Sequence, residues 1–283
     1  MLMYLEFRRC TLRFGETAIG SQRCAPDLHV HFCGSIWPVA IMNFISVYCH
    51  IGRLSFDASN AYWGVTPETG IPLDSRLADI DVNVLESYDD IRDGPECMTL
   101  LPMLLPMLRR ESIHTLVTDK MFPELDGFVS QCPNLTHLQY TVHKLPSMCE
   151  HWPPLRSLTI GCWLFLDSGN PLPDPSWQAM VLDMEKIETS GIYTLVLLLT
   201  LVNTSVSSGP KSIQEYLALQ DWAPIGTFVQ RCKLVKALRI QVRHPCDRFY
   251  GFIDEESQLC RNYVLKVALE HLPKNVGQML EMM

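Results

Sequence analysis

One short pattern of apolar positions recurs along the chain. It consists of an apolar residue, two variable positions, a second apolar residue, one variable position and a third apolar residue. The last three positions alternate as in a β-strand with one buried face. The copies are Ile51-x-x-Leu54-x-Phe56, Leu77-x-x-Ile80-x-Val82, Leu135-x-x-Leu138-x-Tyr140, Leu155-x-x-Leu158-x-Ile160, Ile192-x-x-Leu195-x-Leu197, Val235-x-x-Leu238-x-Ile240 and, with a polar last residue, Ile113-x-x-Leu116-x-Thr118.

Two copies also match in the segment before the strand. Leu125–Leu135 and Ile225–Val235 carry Phe, Val and Cys at the same positions, one hundred residues apart. This spacing places the Phe, Val and Cys side chains on one face of a short helix. The repeating unit is therefore predicted to be a short helix, a tight turn and a short strand.

Such a unit cannot cover its apolar strand alone, so neighbouring units must stack to form a continuous core. The predicted fold class is α/β, an irregular solenoid with a parallel sheet on one face and short helices on the other. We expect the solenoid to span residues 25–283 and to end in a helical cap with frayed last residues. Residues 1–24 are expected to form an N-terminal extension or partial cap.

A strand pattern preceded by a short helix that ends in Cys-Pro, as at Cys132-Pro133, resembles leucine-rich repeats of the F-box type. Over roughly residues 25–272 the chain resembles the C-terminal region of F-box-like proteins abundant in mushroom-forming fungi. The resemblance implies that Ala25–Phe32 is the first element, Ala40–Cys49 a helix and Ile51–Phe56 a strand.

The resemblance also implies a function. In that family an F-box binds the adaptor of a cullin-type ubiquitin ligase, and the leucine-rich repeats present a target protein. Nothing before residue 25 has the pattern of an F-box, so adaptor binding would require an F-box upstream. The expectation for this chain is a protein-interaction module that resembles the substrate-binding part of a ubiquitin-ligase receptor, with a protein partner or substrate.

The variable position before the last apolar residue is expected to face outward from the sheet. These positions lack the clustered carboxylates and histidines of a catalytic site, but they suit a protein or peptide partner. The candidate partner-binding residues are Ser55, Asp81, Gln139, Thr159 and Arg239.

A metal site is the alternative hypothesis. His29 and His31 would point to the same side of a strand, as two imidazoles that share a metal ion do. The segment resembles the first metal motif of adenosine-deaminase-like amidohydrolases, which implies a metal-dependent amidohydrolase. The later ligand motifs of that family are missing, so the main expectation is a non-enzymatic protein without catalytic residues, metal or cofactor.

Composition limits the partners and the location. The chain has 283 residues, 47% of them hydrophobic and 19% charged, which favours folded structure. A net charge of −8 argues against a nucleic-acid partner. The longest apolar run, Ile192–Val202, is too short to span a membrane and predicts a buried strand.

The eleven cysteines include no CxxC pair, which favours reduced thiols and a cytoplasmic or nuclear protein. Cys132 and Cys232 could pair with His137 or His244 for catalysis. Their place in the repeat instead predicts that they fill the core.

Overall fold

The computed structural model describes residues 2–7, 10–15, 17–19, 22–33, 45–60, 80–88, 104–119, 121, 123–142, 146–149, 151–165, 174–202, 210–243 and 254–282. The chain forms two compact units. One comprises Met1–Asp119 and Pro123–Thr136, and the other comprises Lys120–Phe122 and His137–Met283.

The first unit contains strands and short helical segments. Its strands are β1 (Leu2–Phe7), β2 (Cys10–Gly15), β3 (Thr17–Ile19), β4 (Gln22–Cys33), β5 (Tyr48–Asn60), β6 (Asp81–Tyr88) and β7 (Thr115–Thr118). Its helical segments are the 3-10 turns Leu105–Met107 and Arg110–Ser112 and helix α1 (Pro123–Val129).

The second unit alternates strands with longer helices. Its strands are β8 (His137–Val142), β9 (Ser157–Phe165), β10 (Thr194–Val202), β11 (Leu238–Arg243) and β12 (Leu280–Met282). Its helices are α2 (Pro175–Lys186), α3 (Pro210–Ala218), α4 (Ala223–Arg231), α5 (Asp254–His271) and α6 (Lys274–Gly277).

Parallel strands in chain order form the sheet of each unit. In the first unit β4, β5, β6 and β7 pair in parallel, while β2 and β3 pair antiparallel to β4, and β1 pairs antiparallel to β2. In the second unit β8 to β12 pair in parallel. Together with the helices, these parallel strands confirm the predicted α/β class.

Leucines align across each sheet at the middle position of the repeat. In the first unit Leu28, Leu54, Leu85 and Leu116 lie in register, and each is buried. In the second unit the aligned leucines are Leu138, Leu158, Leu195, Leu238 and Leu280. Parallel strands in register place equivalent positions side by side, so the leucines form one apolar row across each sheet.

The copy predicted around Ile80 is wrong in register. Leu85, not Ile80, aligns with Leu54, and Ile80 forms an isolated bridge with Leu108 before β6 begins. The actual copy is Val82-x-x-Leu85-x-Ser87, whose last position is a buried serine. The sequence favours the copy around Ile80 because that copy ends in the apolar Val82, whereas the actual copy ends in a serine.

The two matching segments have the predicted local structure. Phe128, Val129 and Cys132 are buried, as are their counterparts Phe228, Val229 and Cys232. The turn also repeats, because Leu135 N–H donates to Cys132 O at 3.2 Å and Val235 N–H donates to Cys232 O at 3.0 Å. Helices α1 and α4 are therefore each followed by the predicted turn. After α4, the turn leads into strand β11, which completes the predicted unit of helix, turn and strand.

Three sequence predictions differ from the structure at their edges. A helix was expected over Ala40–Cys49, but the last two of these residues, Tyr48 and Cys49, belong to strand β5. Residues 40–44 of this segment lie outside the described residues. Residue 24, the expected end of the N-terminal extension, lies inside β4. The last residues were expected to fray, but Leu280–Met282 pair with β11 as a strand.

Candidate functional site

The outward face of the second sheet presents one residue from each of its five strands. Helix α2 packs on the leucine side, where the Tyr140 hydroxyl on β8 donates to Asp183 of α2. The positions between the inward residues therefore face away from α2. In register they form a row across the sheet, which we call the outward row: Gln139, Thr159, Val196, Arg239 and Glu281.

The outward row brings together three of the predicted partner-binding residues. Gln139 and Thr159 are partly exposed, Arg239 is exposed, and Val196 between them is 8% exposed. Four strand spacings of about 4.8 Å give the row a length of about 19 Å. Glu281 is not predictable from the repeat pattern, because its strand of three residues is too short to show that pattern.

The last two residues of the outward row, Arg239 and Glu281, form an ion pair. Arg239 Nε lies 3.1 Å from Glu281 Oε2, and the two side chains remain 46% and 55% exposed. An ion pair this exposed contributes little to stability because water screens it. Its main effect is to fix the position of a positive and a negative group at this end of the row.

Exposure decreases along the strands from their amino ends to their carboxyl ends. Next to the outward row, on the amino side, His137, Ser157 and Thr194 align and are exposed or partly exposed. On the carboxyl side, Thr141 and Leu198 are 2% and 1% exposed. The accessible outward surface is thus a polar strip two residues deep, rich in hydroxyl and amide groups.

The corresponding row of the first unit contains a buried serine. Ser55 aligns with His29 on β4 and Glu86 on β6, but Ser55 is only 7% exposed. Ser55 thus occupies the outward position predicted for it, but little of its side chain is accessible, and its role in binding stays a prediction. On the same strand, Arg53 reaches Glu86 at 3.8 Å.

Asp81 does not lie in this row. It is the first residue of β6 and aligns with His50, and its carboxylate forms an ion pair of 3.0 Å with Arg109. The predicted repeat position of Asp81 is wrong because it depended on the misplaced copy around Ile80, and its role in binding stays a prediction. Glu86 occupies the position that Asp81 was expected to fill.

The histidines of the alternative metal site lie on β4. The His29 side chain is exposed, whereas the side chain of His31 lies outside the described residues. Among the side chains that the structure describes, no group of three His, Cys, Asp or Glu residues could hold a metal ion. The amidohydrolase alternative remains a prediction from the sequence.

A buried carboxylate organises the start of α2. Asp174 is 1% exposed, and its Oδ1 accepts from Ser176 N–H at 2.7 Å, which caps the helix. Its Oδ2 accepts from the Tyr216 hydroxyl on α3, and Gln220 Oε1 accepts from the Asp174 N–H at 2.9 Å. Burial first and the hydrogen bond to Asp174 second raise the pKa of Tyr216 well above its usual value. Asp174 thus joins α2 to α3 and is structural.

A second buried carboxylate lies near the end of α2. Asp183 is fully buried, with Oδ2 accepting from the Tyr140 hydroxyl at 3.2 Å and Oδ1 accepting from Ser147 N–H at 2.8 Å. The Tyr140 ring also stacks on Trp152 at 5.5 Å. Donors from the sheet and from the following loop engage both oxygens, so Asp183 fixes α2 on β8.

The thiols considered for catalysis are core groups. Burial raises the pKa of Cys132 to about 12 and the pKa of Cys232 to about 11. The Cys132 thiol donates to Phe128 O at 3.3 Å, within its own helix turn. A thiol that stays protonated at neutral pH is a poor nucleophile, which fits the predicted packing role. His244, one of the proposed partners, lies outside the described residues.

A cleft of about 290 Å³ lies between α2 and α4 on the helix side of the second unit. Met184 and Phe228 form part of its apolar lining, and Glu185 and Asp221 contribute carboxylates. Arg231 donates to Met184 O at 2.9 Å and to Ile187 O at 3.3 Å, which satisfies carbonyls at the end of α2. The guanidinium group in the cleft therefore holds the two helices together.

Comparison with known proteins finds no matching family model, no matching curated protein and no matching solved structure. Within the described part of the chain, no helix combines the length and apolar character needed to cross a membrane.

Proposed function

We propose that this protein is a non-enzymatic protein-interaction module, built as an irregular leucine-rich-repeat solenoid, that resembles the substrate-binding part of an F-box ubiquitin-ligase receptor. The observation that carries the proposal is the outward row, in which five parallel strands each contribute one side chain to a single surface. Repeat proteins bind their partners through surfaces of this kind, because equivalent positions of successive repeats lie side by side.

The chemistry of the outward row favours a polar protein segment as the partner. Gln139 and Thr159 can each donate and accept hydrogen bonds, and the adjacent row adds Ser157 and Thr194. The Arg239–Glu281 pair adds one positive and one negative group at a fixed separation. A partner with complementary hydrogen-bonding groups and its own acidic and basic residues would fit this surface.

The resemblance and the cysteine spacing set the cellular context of the proposal. The module would hold a target protein in the cytoplasm or the nucleus, and adaptor binding would require an F-box joined to it. The absence of clustered basic residues along the outward row favours a protein over a nucleic acid.

Exchanging the two charges at the end of the outward row tests this proposal. The double variant Arg239→Glu/Glu281→Arg retains an ion pair but reverses its direction, so stability should change by less than about 0.5 kcal/mol. We expect its dissociation constant for a partner purified from the source cells to rise at least about tenfold, equivalent to about 1.4 kcal/mol. Isothermal titration calorimetry measures this change.

The control is Glu215→Lys, an exposed charge reversal on α3 of the same unit, which should leave binding unchanged. Equal affinity of the exchanged variant and the unmodified protein would remove the Arg239 end of the row from the binding surface.

A further inference from the structure

Two cysteines of the first unit lie unusually close together. Cys24 on β4 and Cys49 on β5 are 25 positions apart, and their sulfur atoms are separated by 3.9 Å. Both side chains are partly exposed. The other cysteines whose side chains the structure describes are all buried: Cys132, Cys149, Cys162 and Cys232.

An irregularity in strand pairing creates this proximity. Arg23 aligns with Tyr48 and Cys24 aligns with His50, so Cys49 is an extra residue on β5 between two regular pairs. Such a bulge redirects a side chain from its regular position, and bulges are common where a strand carries a special function. Here the redirected side chain is the Cys49 thiol, and it lies beside the Cys24 thiol.

We propose that Cys24 and Cys49 form a redox-sensitive dithiol, which a peroxide oxidises to a disulfide between β4 and β5. Neighbouring strands lie about 4.8 Å apart, within the Cα separation that a disulfide spans. The sulfurs must approach each other by roughly 2 Å to reach bonding distance, which side-chain rotation can supply.

The chemistry balances with hydrogen peroxide as the oxidant. One thiolate attacks a peroxide oxygen, the O–O bond breaks, and the products are a sulfenic acid and, after protonation, one water. The second thiol then attacks the sulfenic sulfur, the S–S bond forms, the S–O bond breaks, and a second water leaves. The two cysteines together lose two electrons and two protons, and the peroxide is reduced to two waters.

The surroundings of the pair favour oxidation over metal binding. A structural zinc site takes four ligands, and the described side chains contain no group of three residues that could hold a metal ion. Two partly exposed thiols also remain accessible to cellular reductants, so the disulfide would be reversible. Its effect would be to tie β4 to β5 next to the bulge.

Mass spectrometry of the native full chain tests the proposal. The protein is treated with excess hydrogen peroxide, blocked with iodoacetamide, and digested with trypsin and chymotrypsin, which separate Cys24, Cys33 and Cys49 into different peptides. We expect one linked species containing residues 24–32 and 49–53, with a mass about 2 Da below the sum of its thiol peptides. Dithiothreitol should remove it.

Matched variants distinguish this pair from other thiols. The linked species should disappear in Cys49→Ser and persist in Cys33→Ser, while Cys132 and Cys232 remain reduced in the native protein. The mapping of the unmodified chain decides the question even if a serine variant folds poorly. The proposal is overturned if Cys24 and Cys49 stay reduced after peroxide treatment, or if Cys24 is linked to a different cysteine.

Discussion

Replacing Asp174 by alanine is expected to lower the free energy of unfolding by about 3 kcal/mol. The change removes the acceptor of the buried Ser176 N–H that caps α2 and the carboxylate partner of the half-buried Tyr216 hydroxyl. A buried donor such as the Ser176 N–H costs its desolvation free energy when it loses its acceptor. Urea denaturation of the two proteins measures the difference.

Asp221 provides the matched control for Asp174. Its Oδ1 accepts from Ala223 N–H at 3.0 Å at the start of α4, but the residue is exposed, so water can replace this hydrogen bond. Asp221→Ala should cost only about 1 kcal/mol, the usual net value of one hydrogen bond. Tyr216→Phe should cost about 1.5 kcal/mol, and the double variant with Asp174→Ala should cost less than the sum. Equal effects of Asp174→Ala and Asp221→Ala would contradict the role given to the buried network.

Replacing Gly161 by alanine is expected to destabilise the second unit by about 3 kcal/mol. Gly161 aligns with Leu198 on the next strand, and a Cβ atom at position 161 would lie 2.5 Å from Leu198 O and 2.8 Å from Leu198 Cβ. Because the contacting atoms include backbone, the strands themselves would have to move apart. Denaturant unfolding monitored by tryptophan fluorescence measures the loss.

Gly127 supplies the opposite case. It lies exposed in α1, and a Cβ atom there would meet nothing within 4 Å. Gly127→Ala should therefore stabilise the protein by about 0.5–1 kcal/mol, since alanine restricts the unfolded chain and favours the helix. If Gly127→Ala destabilised the protein as much as Gly161→Ala does, the close strand contact at Gly161 would not be the cause of the stability loss in the Gly161→Ala variant.

The repeat pattern predicts the parts of the fold that depend on local alternation. Leu54, Leu138 and Leu195 were placed correctly because their neighbours two positions later are apolar. The pattern does not identify Leu85, because the overlapping copy that ends at Val82 is fully apolar whereas the actual copy ends in the buried Ser87. β12 was missed because its three residues carry too few alternations.

The polar contacts could not be predicted from the sequence. Asp174 and Tyr216 are 42 positions apart, and Tyr140 and Asp183 are 43 apart. Nothing in the local pattern distinguishes Asp174 from the exposed Asp221 near the start of α4, because the burial of Asp174 arises from the packing of α3. The Cys24–Cys49 contact depends on a one-residue bulge that the sequence does not mark.

The central claim, that the outward row binds a protein partner, is tested most directly by position-specific photo-crosslinking. A photoreactive amino acid replaces Thr159 in the outward row or, as a control, Gln178 on the exposed side of α2. Both proteins are irradiated with the purified partner, and the adducts are identified by mass spectrometry. We expect a crosslink from position 159 and none from position 178. Crosslinks from position 178 alone would contradict it and would place the binding surface on the helix side.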